Sequence, residues 1–308
     1  FAGGAVTALA QVGPSLVGLD AASPAAVREA MDQALRGHAY AKSAVDVACH
    51  DLLGRIAGLS CSALLGGRRM ERFPLYLAVP LGPPGEMAAF ARAAGEAGIH
   101  RLQLKIGGLP VEDVARVRAV VEATGDEDVI IADANGAWRL QDATIALRLL
   151  EGIERVRIEQ PCPTIEECVT LRRMFSVPMV LDEVVTDVAS LLRCHAAGAM
   201  DAINLKISRV GGLGPARLIR ELCEELGLRL TIEDTWGGDL TTAAVSHLAA
   251  SVAPEAFYAA SFMNDWTLEH VAGYLPRSAA GVGSAPDRPG LGVEVDESLL
   301  GEPLQRHV

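Results

Sequence analysis

The sequence predicts an α/β protein whose core is a barrel of βα units, and three observations point there. From residue 73 onward, eight short β-rich runs alternate with longer amphipathic stretches. The polar residues that end five consecutive runs recur steadily: Lys105 to Asp133 is 28 positions, Asp133 to Glu159 is 26, Glu159 to Asp182 is 23 and Asp182 to Lys206 is 24, one βα unit per step. The first βα turn, "YLAVPLGPPG", carries prolines where an open, doubly wound sheet would place a Gly-rich phosphate turn.

The elements can be justified in chain order. Residues 1–72 read as helical: "SPAAVREAMDQAL" has Ser23 as the expected N-cap with Pro24 at the first helical position, and "SAVDVACHDLLGRIAG" aligns Val45, Ala48, Cys49, Leu52 and Leu53 on one side. Residues 73–280 hold the strands: "FPLYLAV" (73–79), "RLQLKI" (101–106), "VIIADAN" (129–135), "VRIEQP" (156–161), "PMVLDE" (178–183), "AINLKI" (202–207), "RLTIED" (229–234) and "FYAASFM" (257–263). Stretches such as "VEDVARVRAVVEA" and "DATIALRLLEGI" between them repeat apolar residues at three- and four-residue steps, the period of a helix with one buried face. Residues 281–308 follow a Gly- and Pro-rich stretch, "AAGVGSAPDRPGLGVEV", that suits an extended tail better than a final helix.

Composition narrows the partners. The 308 residues are 50% hydrophobic and 21% charged, with no apolar run of the roughly 18 to 20 residues a membrane-crossing helix needs. A formal charge of -12 without a long basic run argues against nucleic acid or an anionic membrane surface and leaves a small substrate. Six scattered cysteines form no CxxC pair, so free thiols and a reducing, cytoplasmic setting are expected. The chain starts at Phe1, and a preceding N-terminal segment is expected to be missing.

The strand ends carry the chemistry. In a βα barrel all strands finish on one face, so Asp133, Glu159 and Asp182 should converge there. Three carboxylates in a small space raise one another's pKa unless a cation intervenes, and an all-oxygen set without His or Cys points to Mg²⁺ first and Mn²⁺ second. Lys105 and Lys206 end the flanking strands and should face each other across the mouth, with desolvation and a nearby cation pushing their pKa values down toward those of usable bases. A lone strand-end acid is more often a helix cap and a lone lysine more often reaches for water; the ordered set of five argues otherwise. Glu183, beside Asp182, should point the other way along its strand. The glycines of "RVGGLGPARLIREL" lack the P-loop lysine and read as a tight turn rather than a nucleotide site.

That ordered set resembles the enolase superfamily, in its mandelate racemase and muconate lactonizing enzyme branch. "AKSAVDVACHDLLGRIAGLSCSALLGG" is similar to the family's cap-to-barrel segment, and "IADANGAW", "IEQP", "LDE" and "LKISRVGG" to its successive strand ends. The resemblance implies a modified TIM barrel, (β/α)₇β, at 73–280, the helical part of a truncated N-terminal capping domain at 1–72, and a tail at 281–308 packing back on that cap. It implies Mg²⁺ held by Asp133, Glu159 and Asp182, with Lys105 and Lys206 as the acid/base pair. Where the family commonly has Lys-x-Lys, "QLK" places Gln103, which can still donate to a substrate carboxylate but removes one positive charge.

Gln103, Asn135, Asp234, Trp236 and Asp265 are the expected substrate contacts. Within the branch, "QLKIGG", "EQPCPT" and "EDTWGGDLTTAA" look most like enzymes acting on hydroxyproline and proline betaine. Dehydration of cis-3-hydroxy-L-proline is the expected reaction, because "YAASFMND" has no tryptophan for a quaternary nitrogen. The alternatives are a racemase or 2-epimerase of proline betaine, hydroxyproline betaine or another amino-acid derivative, and a non-catalytic binding barrel. The resemblance also suggests a homo-oligomer.

Overall fold

The computed structural model describes residues 2–307. Three helices, α1 (Ala2–Val12), α2 (Pro24–Ala34) and α3 (Ala39–Ala57), and a short turn of helix, α4 (Cys61–Leu64), precede the sheet. There follow β1 (Phe73–Pro74), β2 (Leu77–Val79), α5 (Pro84–Glu96), β3 (Arg101–Lys105), α6 (Pro110–Ala123), β4 (Val129–Asp133), α7 (Leu140–Leu150), β5 (Val156–Glu159) and α8 (Ile165–Met174). The chain continues through β6 (Met179–Leu181), α9 (Val188–Ala196), β7 (Ala202–Lys206), α10 (Ile207–Val210), α11 (Leu213–Glu225), β8 (Arg229–Glu233), α12 (Asp239–Ala250), β9 (Phe257–Ala260) and β10 (Val282–Gly283).

Strands β2 to β9 form one parallel sheet in sequence order. A parallel bridge between Leu75 and Ala260, with the Tyr76 N–H donating to the Ala260 carbonyl at 3.0 Å, joins its first and last edges. Every strand from β2 to β8 is followed by a helix and β9 is not, which makes the barrel (β/α)₇β. The alternation of strand side chains sorts each run: Leu102 and Leu104 are buried against the helix layer, whereas Arg101, Gln103 and Lys105 belong to the inward set.

Some local expectations are corrected. The run at 73–79 splits, because Phe73 and Pro74 leave the barrel to pair antiparallel with β10; Pro74 has no N–H to give a central ladder. The Ser23 side chain makes no cap on α2; its hydroxyl donates to Asp20 Oδ2 at 3.3 Å. On α3 Cys49 is buried as expected, but Ala48 and Leu52 are exposed and Asp46 and His50 are buried instead. The cause is tertiary: Asp46 faces the barrel and accepts from the Gly214 N–H at the start of α11.

Two buried residues hold the assembly together. Trp138, 1% exposed, donates from Nε1 to the Gly108 carbonyl and to Asp113 Oδ2, both at 3.2 Å, and Asp113 also accepts from the Gly107 N–H. This ties the loop after β3 to the loop after β4, the two loops that follow Lys105 and Asp133. Gly107 sits at φ +115°, and a Cβ there would meet the Ala134 carbonyl oxygen at 2.8 Å, so only glycine fits this crossing. Trp138→Ala is expected to destabilise the fold by roughly 3–5 kcal/mol, read from urea unfolding.

His247, inside α12, accepts from the Ser62 N–H at Nδ1 and donates from Nε2 to the Leu291 carbonyl, so the neutral ring links the cap, the barrel and the tail. The tail continues along α3, where Gly290 bonds Leu59 and Cys61, and Arg55 reaches Glu294. Burial lowers the His247 pKa to about 4. A folded-state value below the unfolded 6.5 means the unfolded chain takes up the proton first, so this stability is present above pH 6.5 and lost as pH falls toward about 4. Within that window the loss is about 1.4 kcal/mol per pH unit. His247→Gln keeps an acceptor and a donor without the titration, and its melting temperature should fall less between pH 7 and pH 5 than that of the parent.

Candidate active site

The strand register brings the mouth residues side by side. Lys105 is paired with Asp133 and Asp133 with Glu159 in the β3–β4–β5 ladder, while Lys206 is paired with Glu233 between β7 and β8. Asp182 lies one residue beyond β6. Asp133, Glu159 and Asp182 are all 0% exposed. Lys105 Nζ lies 2.5 Å from Asp133 Oδ2, and Lys206 Nζ lies 2.8 Å from Asp182 Oδ2 and 3.1 Å from Glu233 Oε1. Glu159 stands between the two lysine arms and accepts from Gln103 Nε2 at 2.9 Å and from Asn204 Nδ2 at 2.5 Å.

Electrostatics follow from this crowding. Burial raises the pKa of Asp133, with Asp182 adding to the rise and Lys105 opposing it. Glu159 is pushed well above the ordinary carboxylate range by burial, then by Asp133 and Asp182. Glu233 rises to about 8, again by burial first and then by Asp234. For Lys105 the expected direction is reversed. Burial is the largest single influence and lowers its pKa, but the charge and hydrogen bond of Asp133, together with Glu159 and Asp182, outweigh it and leave the ammonium above its usual value.

One carboxylate oxygen from each of Glu159, Asp182 and Glu233 lies within 4.8 Å of the others. Asp133 lies outside that set; its two oxygens accept from Lys105 Nζ at 2.5 Å and from the Asn135 N–H at 2.7 Å. The expected substrate contacts divide. Gln103 lies inside the cluster on Glu159. Asn135, exposed at the mouth with φ 48°, donates to Glu183 Oε1 at 3.1 Å. Glu183 is therefore turned toward the mouth rather than away from it, with its Oε2 buried and unpartnered. Asp234 is drawn off by the start of α10, where it accepts from the Ser208 N–H and hydroxyl and from the Thr235 N–H. Trp236 is 61% exposed on its loop. Asp265 accepts from the Tyr274 hydroxyl at 2.8 Å and is not part of the carboxylate cluster.

Several side chains beyond the expected contacts join the site. Glu233, not its neighbour Asp234, faces inward, and the Tyr76 hydroxyl donates to it across the barrel. Arg209, one turn beyond Lys206, pairs with Asp182. Asn204 reaches Glu159. One signal was available: in β7 and β8 the alternate positions Asn204 and Lys206, and Thr231 and Glu233, share a face.

Comparison with known proteins agrees with this geometry. Residues 86–299 match the enolase C-terminal domain-like family, and residues 3–66 match the mandelate racemase/muconate lactonizing enzyme N-terminal domain. The chain is an enolase-superfamily enzyme. Among its relatives in that superfamily, cis-3-hydroxy-L-proline dehydratase of Roseibium aggregatum is 40% identical, with 100% of this chain aligned to 83% of that protein. N-succinyl-L-Arg/Lys racemase of Bacillus cereus is 27% identical over 94% of this chain and 78% of its own length. A solved enolase-superfamily member from Roseovarius nubinhibens complexed with magnesium superposes with a TM-score of 0.92 at 34% identity, covering 98% of this chain and 83% of that one. Among the described residues no helix is long and apolar enough to cross a membrane, and all six cysteines are buried free thiols.

Proposed function

We propose that this enolase-superfamily enzyme removes the proton α to a substrate carboxylate, and that the reaction is dehydration of cis-3-hydroxy-L-proline. The observation that carries the reading is the placement of Lys105 and Lys206 on either arm of one buried carboxylate cluster. Lys105, with 36% of its side chain exposed, takes the C2 proton; Lys206, with 11% exposed, gives a proton to the C3 hydroxyl as the C3–O bond breaks. Water leaves, and the enamine tautomerises to a cyclic imine acid. In the cis substrate the hydroxyl lies on the face opposite the C2 hydrogen, which suits two amines acting from opposite sides. The 40% identity to a protein named for this reaction supports the choice of substrate.

The donor chemistry fits a hard divalent cation. Asp133, Glu159 and Asp182 offer only oxygens, they are fully buried, and the unpartnered Glu183 Oε2 lies close enough to Asp182 and Asp133 to feel their charge. These three acids would hold Mg²⁺, or Mn²⁺ in its place, and the ion would stabilise negative charge building on the substrate carboxylate. Engaging Asp133 in that role also weakens the pull that keeps Lys105 charged. Gln103 and Asn135 are the proposed polar contacts to substrate at the mouth.

Proton NMR in D₂O with proline derivatives tests the reading. A dehydratase shows loss of the C3 hydroxyl and formation of the imine acid. The racemase relative favours a second reading with the same two lysines, in which C2 exchanges with the carbon skeleton retained. If neither change occurs with any carboxylate carrying an α-proton, the lysine assignment fails.

A further inference from the structure

The opposite end of the barrel holds a second cluster that the chemistry above does not use. Arg101 opens β3, Arg157 is the second residue of β5 and Arg229 opens β8, and all three belong to the inward alternation of their strands. They surround Tyr258 of β9, which is 8% exposed and packs inside the barrel on Ile131, Val180 and Ala202. The Arg157 guanidinium carbon lies 4.9 Å from the Tyr258 ring centroid and that of Arg229 lies 5.1 Å from it, while Arg157 Nε donates to the phenol oxygen. Burial lowers the Arg101 pKa, and the charges of Arg157 and Arg229 lower it further.

Among the described residues none of the three arginines makes an ion pair with a carboxylate, and acids that flank these strands are engaged elsewhere: Asp128 with His100, Asp126 with Arg155 and Asp201 with Arg172. Two of the three guanidinium groups are partly buried, and a guanidinium cannot shed its proton to relieve repulsion as an amine can. In a chain of net charge -12, such a concentration of unpaired arginine is out of keeping with the surface as a whole. Cation–π contact with Tyr258 relieves part of the cost and occupies only the Arg157 Nε–H as a donor.

We propose that Arg101, Arg157 and Arg229 form a binding site for a small multivalent oxyanion, of the phosphate or sulfate class, at the floor of the barrel and remote from the carboxylate cluster. Planar N–H forks from three strands match an anion with several equivalent oxygens. The site is independent of the substrate proposed for the mouth.

The test is thermal unfolding in Mg²⁺-free buffer at constant ionic strength, titrated with inorganic phosphate in the millimolar range and with chloride as the control. Phosphate is expected to raise the melting temperature with saturation, and calorimetry should count one site. Arg229→Gln and Arg101→Gln each remove one charge without touching the carboxylate cluster. Each should weaken the phosphate midpoint at least tenfold and melt in chloride at or above the temperature of the parent, because repulsion is relieved. A phosphate response that is linear, as expected of general salting-out, or that is unchanged in both variants, or no response at all, overturns the proposal.

Discussion

Lys105→Ala is expected to lower kcat by about 10³-fold, the middle of the range for losing a positioned general base, and to abolish exchange of the substrate C2 proton in D₂O. The side chain is the mouth group bonded to Asp133, and Gly107 and the Trp138–Asp113 contacts fix the loop behind it. Its neighbour on the same face of β3 offers no base: Gln103, two residues earlier, is neutral and already donates to Glu159. Lys206→Ala separates the two half-steps. It should stop loss of water while C2 exchange continues, because the proposed mechanism assigns proton removal to Lys105. C2 exchange that survives in Lys105→Ala would remove it from the role of base.

Mg²⁺ should stabilise the folded chain strongly, and its removal by a chelator should abolish turnover. Binding to the native state alone adds about 2.7 kcal/mol when the ion is present at 100 times its Kd. The sign of the Glu159→Gln effect makes this prediction sharp. Glu159 is fully buried, and burial with its acidic neighbours already pushes its pKa well up, so the neutral amide relieves strain in the metal-free protein. The variant should therefore melt at or above the parent without the ion, yet gain little when Mg²⁺ is added. A parent whose melting temperature ignores Mg²⁺ would separate the carboxylate cluster from metal binding.

Much of the barrel was legible because its signals are local. Apolar runs, helical periodicity and the repeat of polar strand ends each occupy one βα unit, so Lys105, Asp133, Glu159 and Lys206 could be placed at strand ends, and Asp182 one residue beyond its own, without knowing what lay opposite. The cap helix α3 was misread because its buried polar side, Asp46 and His50, is created by the barrel surface against which it lies.

By itself the sequence determined a barrel of βα units with two lysines and three acids at successive strand ends, since each follows from alternation and spacing along the chain; the (β/α)₇β form and the superfamily were implied by the resemblance of those strand-end motifs. Only the tertiary structure decided that the Tyr76 hydroxyl meets Glu233 and that three arginines gather around Tyr258. Those contacts join strands far apart in sequence. They depend on register and on where the closed sheet brings its first edge against its last, and no local pattern of residues encodes either.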